Sequence, residues 1–339
     1  MTKPTSSIQI ARTEHVIAAP TPPDSRHVTQ LKTILVPVDF SQESLGVLDY
    51  AILVAEQFGA EVHPVHVRPQ IEATAIQRAG GVMSNYRDHI SFLLDRLADI
   101  EHKHRFKFPP GHCHILSGRP FAEICQLARE IAADLVILGS RGYSGLKRVL
   151  LGSTAERVIR FAPCPVLVSR GQRYKAVIGL MRKMRLKLRN ILVPTDFSSC
   201  SAAALDYAVF LAQKFKAQLQ LLYSMQNYMR FPAQNRTSGV LAALHEADRL
   251  TAQNQMKEFK QRYIPGTMRC ETEIVAGDPV EQICRQSGRP EVDLLVISTH
   301  GRSGFQHALL GSVAEQVARY AKCPVLTVPG TSKVTAKSL

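Results

Sequence analysis

The sequence has no tryptophan, few cysteines and no long apolar run. No apolar stretch approaches the roughly 20 residues that a membrane-spanning helix requires, so no such helix is expected. The seven cysteines form no Cys-x2-Cys pair, and we interpret them as core thiols in a reducing compartment rather than as a disulfide framework. Residues 1–30 lack the apolar segment of a secretory signal and are predicted to be a disordered tail. A cytoplasmic location is therefore expected.

Two catalytic signatures are also missing. The sequence has no Gly-x4-Gly-Lys-Ser/Thr loop, which argues against a P-loop ATPase. It has no Gly-x-Ser-x-Gly elbow, the nucleophile turn of α/β-hydrolases. If the protein binds a phosphate, it does so with a different loop.

Acidic residues are absent from residues 170–189, which form a basic stretch. This stretch holds eight lysines and arginines, whereas the formal net charge of the whole chain is +14. Such a run binds acidic partners or is a solvated linker, and we favour the linker. Only Tyr174 interrupts it with an aromatic ring, so stacking on single-stranded nucleic acid is disfavoured and no nucleic-acid partner is predicted.

What the sequence does contain is a glycine-rich loop between a predicted strand and a predicted helix. The residues GSRGYSGLKRVLLGS (139–153) follow the apolar run DLVIL (134–138) and precede TAERVIRFA (154–162). Glycines let backbone N–H groups approach a ligand, and a helix N-terminus offers unpaired N–H groups at the positive end of its dipole. The pattern is typical of phosphate-binding loops, but a plain strand-to-helix connection has the same appearance.

The loop occurs twice, because STHGRSGFQHALLGS (298–312) repeats its spacing. Residues 31–70 and 188–227 share 16 identities in 40 positions. Residues 116–170 and 275–329 share 22 in 55, which indicates a tandem duplication. The predicted organisation is a tail at 1–30, a first domain at 31–170, a basic linker at 171–187, a second domain at 188–329 and a tail at 330–339.

Within the first copy, short β-branched runs alternate with amphipathic segments. Strands are predicted at 34–38, 61–67, 112–116, 134–138 and 165–169, and helices after Ser41 up to Gly59, at 83–105, at 120–132 and at 154–162. Strands separated by helices indicate a parallel sheet that is covered on both faces.

Several motifs of both copies together resemble the universal stress protein family. They are ILVPVDFS and ILVPTDFS, the Gly-x2-Gly-x9-Gly-Ser/Thr loop, LLGSTAERV and LLGSVAEQV, and the closing CPVLV and CPVLT. The arrangement is similar to tandem bacterial members of the ATP-binding branch. The resemblance implies two Rossmann-like α/β domains, each with a five-stranded parallel sheet of strand order 3-2-1-4-5, and a role in stress response.

In that branch, nucleotide lies across the carboxyl ends of the strands, where the strand order reverses. Carried onto the first copy, the resemblance implies contacts of the base and sugar with Pro37, Val38, Asp39 and Val67, and of the phosphates with Gly139, Arg141, Gly142, Gly152, Ser153 and Thr154. The expected ligand is ATP, with or without Mg²⁺. Asp39 also suits charge compensation at a helix N-terminus, which needs no ligand.

The second copy departs from this pattern at two positions. Ser298 replaces Gly139 and adds a Cβ, and His300 replaces Arg141 with a side chain that is cationic only when protonated. We therefore predict a weaker second site. Its candidate residues are Pro194, Thr195, Asp196, Thr299, Gly301, Gly311, Ser312 and Val313.

No catalytic residue is predicted. Asp39 is the only carboxylate clearly placed to touch a nucleotide, and no lysine or histidine is clearly paired with it as a base. His112 and His114 would share one face of a strand and could bind a metal, but the second copy has no equivalent histidines, so no metal site is predicted. The sequence thus favours a binding protein over an enzyme.

Three functions remain open. The first is a regulator whose occupancy by ATP alters its conformation or its choice of protein partner. The second is an interaction scaffold that needs no nucleotide and uses the basic linker or the surface of the domain pair. The third is a slow ATP hydrolase. The closing strands at 166–168 and 325–328 are predicted to pair, which would make the two domains an intramolecular pseudo-dimer.

Overall fold

The structure is a computed structural model. It describes residues 30–68, 95, 98–99, 108–109, 111–140, 151–169, 187–225, 238–301 and 310–330. The predicted N-terminal tail up to residue 29, most of the helix predicted at 83–105, the loop residues 141–150 and 302–309, most of the basic linker and the C-terminal tail from residue 331 lie outside the described residues.

Strands and helices alternate in both halves. The first half comprises β1 (Thr33–Pro37), α1 (Gln42–Phe58), β2 (Glu61–Arg68), β3 (His114–Ser117), α2 (Pro120–Glu130), β4 (Leu135–Gly139), α3 (Ser153–Phe161) and β5 (Val166–Ser169). The second comprises β6 (Asn190–Pro194), α4 (Ser199–Phe215), β7 (Gln218–Met225), α5 (Ser238–Tyr263), β8 (Cys270–Ala276), α6 (Pro279–Ser287), β9 (Leu294–Ser298), α7 (Ser312–Tyr320) and β10 (Val325–Val328).

Two predicted boundaries in the first half are off by about two residues. The third strand begins at His114 rather than at residue 112, because the N–H of His112 is taken by a turn, where it donates to the carbonyl of Pro109. Helix α2 ends at Glu130 rather than at 132, because Ala132 adopts a left-handed φ of 48°. None of the described helices is both long enough and apolar enough to cross a bilayer.

Helices α1 and α4 begin and end in the same way. Ser41 and Ser198 are N-caps, and their hydroxyl oxygens accept from the N–H of Ser44 and of Ser201. Each helix ends in a left-handed residue, which is Gly59 in the first copy and Lys216 in the second. The capping signals predicted at residues 41 and 59 are confirmed.

Each half folds as a doubly wound sheet. The strand order is β3-β2-β1-β4-β5 in the first half and β8-β7-β6-β9-β10 in the second, with parallel pairing throughout each half. The predicted order 3-2-1-4-5 is therefore confirmed for both. Buried strands are covered by helices on both faces, and two apolar clusters fill the two layers between sheet and helices.

The two half-sheets join into one ten-stranded sheet. Strands β5 and β10 pair in the antiparallel direction, with Leu167 opposite Leu326. On one face, the ring of Phe58 stacks on Phe210 at 5.6 Å between centroids, and the hydroxyl of Tyr207 donates to the carbonyl of Asp134 at 3.2 Å. These contacts tie helix α4 to the first half of the chain.

Two ion pairs on the opposite face join helix α3 to helix α7, and each pairs the glutamate of one helix with the arginine of the other. Arg319 lies 3.0 Å from Glu156, and Arg160 lies 3.6 Å from Glu315. Residues 156 and 160 of α3 correspond to residues 315 and 319 of α7 in the repeat. The contact between halves is therefore self-complementary, as in a two-fold dimer interface.

The cysteines are free thiols in this structure. Cys125, Cys164 and Cys323 are buried in the core, and burial raises the pKa of Cys125 to about 12. Burial also raises the pKa of Cys164. These three positions agree with the interpretation of core thiols, whereas Cys113, Cys200, Cys270 and Cys284 are only partly buried.

Candidate functional site

A cavity of about 260 Å³ lies at the carboxyl ends of β1, β2 and β4. The order of the strands reverses here, because β1 pairs with β2 on one side and with β4 on the other. Chains that leave β1 and β4 therefore turn to opposite faces and open a crevice between them. The N-termini of α2 and α3 close the other sides of this cavity through Pro120, Gly152 and Ser153.

Eight of the ten residues predicted for the first site line this single cavity. They are Pro37, Val38, Asp39, Val67, Gly139, Gly152, Ser153 and Thr154. Arg141 and Gly142 lie outside the described residues. The structure thus brings together the two groups of the predicted site, from Pro37 to Val67 and from Gly139 to Thr154, which are 72 residues apart in the sequence at their nearest members.

The glycine-rich loop is closed at its base by a backbone hydrogen bond in each copy. The N–H of Gly152 donates to the carbonyl of Ser140 at 2.7 Å, and the N–H of Gly311 donates to Thr299 at 2.8 Å. A Cβ on Gly311 would lie 3.0 Å from the carbonyl oxygen of Thr299, so a larger residue would press on the backbone. Glycine at residue 311 is thus favoured by the close approach of two chain segments.

Helix α3 lacks a side-chain cap. Its N-cap residue is Gly152, which makes no side-chain hydrogen bond, whereas α1 is capped by Ser41. The first N–H groups of α3 therefore lie at the cavity without a capping oxygen from residue 152. Such a helix start attracts anions through its N–H groups and its dipole.

Asp39 has a structural role that its equivalent in the second copy shares. Its Oδ1 accepts from the backbone N–H of Ser41 at 3.0 Å and from the Ser41 hydroxyl at 2.6 Å. Asp196 makes the same two bonds with Ser198 at 3.0 and 2.6 Å. The aspartate thus orients the cap of the following helix in both copies, and it lines the cavity as well.

The residue after each aspartate has a left-handed backbone. Phe40 has φ of 61° and Phe197 has φ of 63°, which costs about 1–2 kcal/mol for a residue with a Cβ. The ring of Phe40 packs on His66 at 4.9 Å, and that of Phe197 packs on Tyr223 at 4.7 Å. These ring contacts hold the sharp turn that places the aspartates, and strain of this kind concentrates at binding sites.

A second cavity of about 350 Å³ occupies the corresponding place in the second half. All eight residues predicted for the second site line it. The hydroxyl of Ser298 donates to the backbone carbonyl of His300, and Nδ1 of His300 lies 2.9 Å from the hydroxyl of Thr299. The Cβ of Ser298 does not close this cavity, which is larger than the first.

Several lining residues were not predicted from the sequence. In the first cavity they include Ser44, Pro120, Ile124 and Ser140. Pro120 signals only where α2 begins, because proline is favoured at the first position of a helix. Ser140 is 2% exposed, and its hydroxyl donates to a carboxylate oxygen of Glu43 at 3.2 Å.

These features define a doubly wound α/β protein with two cavities at the strand ends, each bordered by a glycine-rich loop and a helix N-terminus. The model of the universal stress protein family matches residues 30–170 and again 187–329. The chain therefore belongs to the universal stress protein family.

Individual relatives agree with this assignment. Universal stress protein MJ0531 of Methanocaldococcus jannaschii is 34% identical over 140 residues, which span 40% of this chain and 81% of that protein. Universal stress protein G of Escherichia coli is 33% identical over 144 residues, which span 41% of this chain and 99% of that protein. Each of these two matches spans less than half of this chain.

Solved structures match both halves at once. A universal stress protein from Archaeoglobus fulgidus has a TM-score of 0.57 and 20% identity, and the match covers 91% of this chain and 99% of that one. The functionally unknown protein PA1789 from Pseudomonas aeruginosa has a TM-score of 0.60 and 20% identity, with coverage of 88% and 93%. At this level of identity the likeness shows the fold.

Proposed function

We propose that the protein binds an adenine nucleotide, ATP, chiefly in the cavity of the first half, and that occupancy alters its conformation or its choice of protein partner in a stress response. The observation that carries the proposal is the convergence of eight predicted residues, from the ends of β1, β2 and β4 and the start of α3, on one cavity. Arg141 and Gly142 would complete the phosphate side.

The walls of this cavity suit the two parts of a nucleotide. Val38, Val65, Val67, Ile124 and Leu138 supply apolar surface for a flat base. On the other side, the start of α3 offers backbone N–H groups with no side-chain cap, which suits phosphate. The cavity volume of about 260 Å³ is just below the usual range for small-ligand sites, so the cavity suits the base, and the phosphates would lie at the start of α3.

The second cavity is proposed as the weaker site. His300 stands where the first copy has Arg141, and its imidazole bonds the neighbouring Thr299 hydroxyl. A neutral imidazole attracts phosphate less than a guanidinium does. The larger volume of the second cavity does not offset this difference, because phosphate binding depends on charge and donors rather than on space.

Two matched variants test the sites. Val67→Trp fills the first cavity, and Ser224→Trp fills the second at the equivalent position of β7. Since the native chain has no tryptophan, the emission of each single tryptophan reports whether the indole is buried in its cavity. Circular dichroism confirms that each variant is folded.

The measurement is the nucleotide released on denaturing the purified full chain, followed by titration of the emptied protein with Mg-ATP. We expect about one adenine nucleotide per chain, lost in Val67→Trp and retained in Ser224→Trp. Loss only in Ser224→Trp would contradict the assignment to the first half. A native chain that neither carries nor takes up nucleotide would refute the proposal and favour a scaffold that works through the basic linker or the surface of the domain pair.

The regulatory part of the proposal needs its own measurement. Amide hydrogen exchange with and without Mg-ATP should show slower exchange at the starts of α2 and α3, which border the cavity. The same samples, incubated for hours, report any release of inorganic phosphate. Exchange that is identical in both samples, despite proven binding, would contradict a conformational response.

A further inference from the structure

A group of histidines lies at the amino end of β2, on the outer side of the first half. One ligand atom from each of Glu61, His63 and His112 lies within 4.8 Å of the other two. The rings of His63 and His112 stack at 4.1 Å between centroids, and Nε2 of His112 is 3.9 Å from a carboxylate oxygen of Glu61. A fourth residue, His114, places its Nε2 3.1 Å from Nδ1 of His63.

We propose that Glu61, His63 and His112 bind a divalent transition-metal ion of the zinc type, with His114 as the residue that orients His63. The site is separate from the nucleotide cavity. His63 and Val67 lie four residues apart on β2, which places them about 13 Å apart along the strand. The proposal does not rest on nucleotide binding.

The ligand set selects the class of ion. Two imidazoles and one carboxylate are typical donors for Zn²⁺, whereas Ca²⁺ and Mg²⁺ take oxygen ligands. Ligand atoms around tetrahedral zinc are about 3.4 Å apart. The ligand atoms here lie within 4.8 Å of one another, so a bound ion would draw them closer together.

The hydrogen bonds of the cluster leave ring nitrogens available to a metal ion. When Nδ1–H of His63 donates to His114, its Nε2 carries the lone pair, which is the usual arrangement for a histidine ligand held by a second residue. Nδ1 of His112 is buried and has no hydrogen-bond partner among the described residues. Glu61 has 60% of its side chain exposed, so an ion can enter from solvent.

The second copy shows that the fold does not require these histidines. Strand pairing places Val65 beside His114 and Leu222 beside Glu273, so His114 and Glu273 occupy equivalent positions. Glu273 there accepts from the amides of Gln220 and Gln286, and it pairs with Arg289 at 3.3 Å. A hydrogen-bonded ion pair thus fills the place that holds closely packed imidazoles in the first copy.

The experiment is a zinc titration of the full chain, prepared without a polyhistidine tag and stripped with a chelator. Competition against a chromophoric chelator gives the number of ions and the dissociation constant. We expect one Zn²⁺ per chain with a dissociation constant of about 1 µM or tighter. His63→Gln and His112→Gln should each weaken binding at least 10-fold, and His114→Gln about 10-fold. His245→Gln, on helix α5 of the second half, is the matched control and should bind as the native chain does.

Two further readouts keep the test decisive. Zn²⁺ should raise the melting temperature of the native chain but not that of His63→Gln. If a histidine variant fails to fold, Glu61→Gln replaces it, because the Glu61 side chain is exposed and its substitution disturbs the core least. The visible spectrum of the Co²⁺ form should lack a thiolate charge-transfer band. Any of three results would overturn the proposal. They are no bound zinc at 100 µM, zinc binding that survives in the His63→Gln/His112→Gln double variant, and a thiolate band in the Co²⁺ spectrum.

Discussion

The pairing of β5 with β10 can be tested by placing charge where two leucines now meet. Leu167 and Leu326 lie directly opposite each other in this pair, and they are only 6% and 2% exposed. The double variant Leu167→Lys/Leu326→Lys removes apolar contact from both sides and sets two ammonium groups against each other. Like charges at opposite positions of neighbouring strands repel.

The size of the effect follows from burial. Truncating a buried leucine costs about 2–5 kcal/mol, so the loss of two side chains removes at least about 4 kcal/mol. Even this lower figure weakens pairing of the halves about a thousandfold. Buried charge adds to the loss, because a lysine that cannot reach water or a carboxylate is strongly disfavoured.

Small-angle X-ray scattering measures the outcome on the full chain. A compact chain of this length has a radius of gyration of about 20 Å, and separation of the halves would increase it. We expect an increase together with retained circular dichroism, which distinguishes opened domains from unfolded ones. The single variant Leu167→Lys should give a smaller change. A double variant with an unchanged radius and an unchanged urea midpoint would refute the role of this strand pair.

Two further predictions concern single residues. Gly59→Ala should lower the unfolding free energy by about 1 kcal/mol, and Lys216→Gly should raise it by up to about 1 kcal/mol, because both residues have a left-handed backbone that disfavours a Cβ. A Cβ at residue 59 meets nothing within 4 Å, so the backbone conformation alone sets the effect there. Urea unfolding measures both variants, and changes of the same sign would contradict the explanation. Cys125 should resist iodoacetamide at pH 8 in the native chain and react once the chain is unfolded, because burial raises its pKa to about 12 and leaves almost no thiolate. Mass spectrometry of the alkylated peptides measures the labelling. Rapid labelling of the native chain would contradict the burial.

The sequence predicted the fold well because its signals were local and repeated. Ser41 and Gly59 marked the ends of α1 through hydrogen bonding and a positive φ, and both copies carried the same strand motif ILVP. Duplication then supplied an internal check on every element that was kept in both copies. The candidate site residues came instead from the resemblance to the universal stress protein family, and they lie together because parallel strands bring their carboxyl ends to one edge.

Contacts between distant segments were harder to predict. Nothing near Pro120 or Ile124 in the sequence indicates that α2 would border the first cavity, because that depends on where β3 lies in the sheet. The histidine cluster depends on a long-range contact in the same way. His112 and His114 form a pair in the sequence, but their contact with His63 depends on the register of β2 with β3, some 50 residues apart.

The two copies differ at some strand ends although their buried strands are alike, and these differences bear on the proposed sites. The buried strands β1 and β6 keep nearly the same apolar residues, because both sheets need the same packing. At the carboxyl ends, an arginine in the first copy is replaced by His300, and at the amino ends Glu273 replaces His114. Substitutions at strand ends leave the core intact, so the two proposed sites can differ from the second copy without loss of the fold. A nucleotide site and a metal site confined to the first half would therefore indicate that the second half serves chiefly as its structural partner, held by β10 and by the exchanged pairs of Glu156 and Arg160.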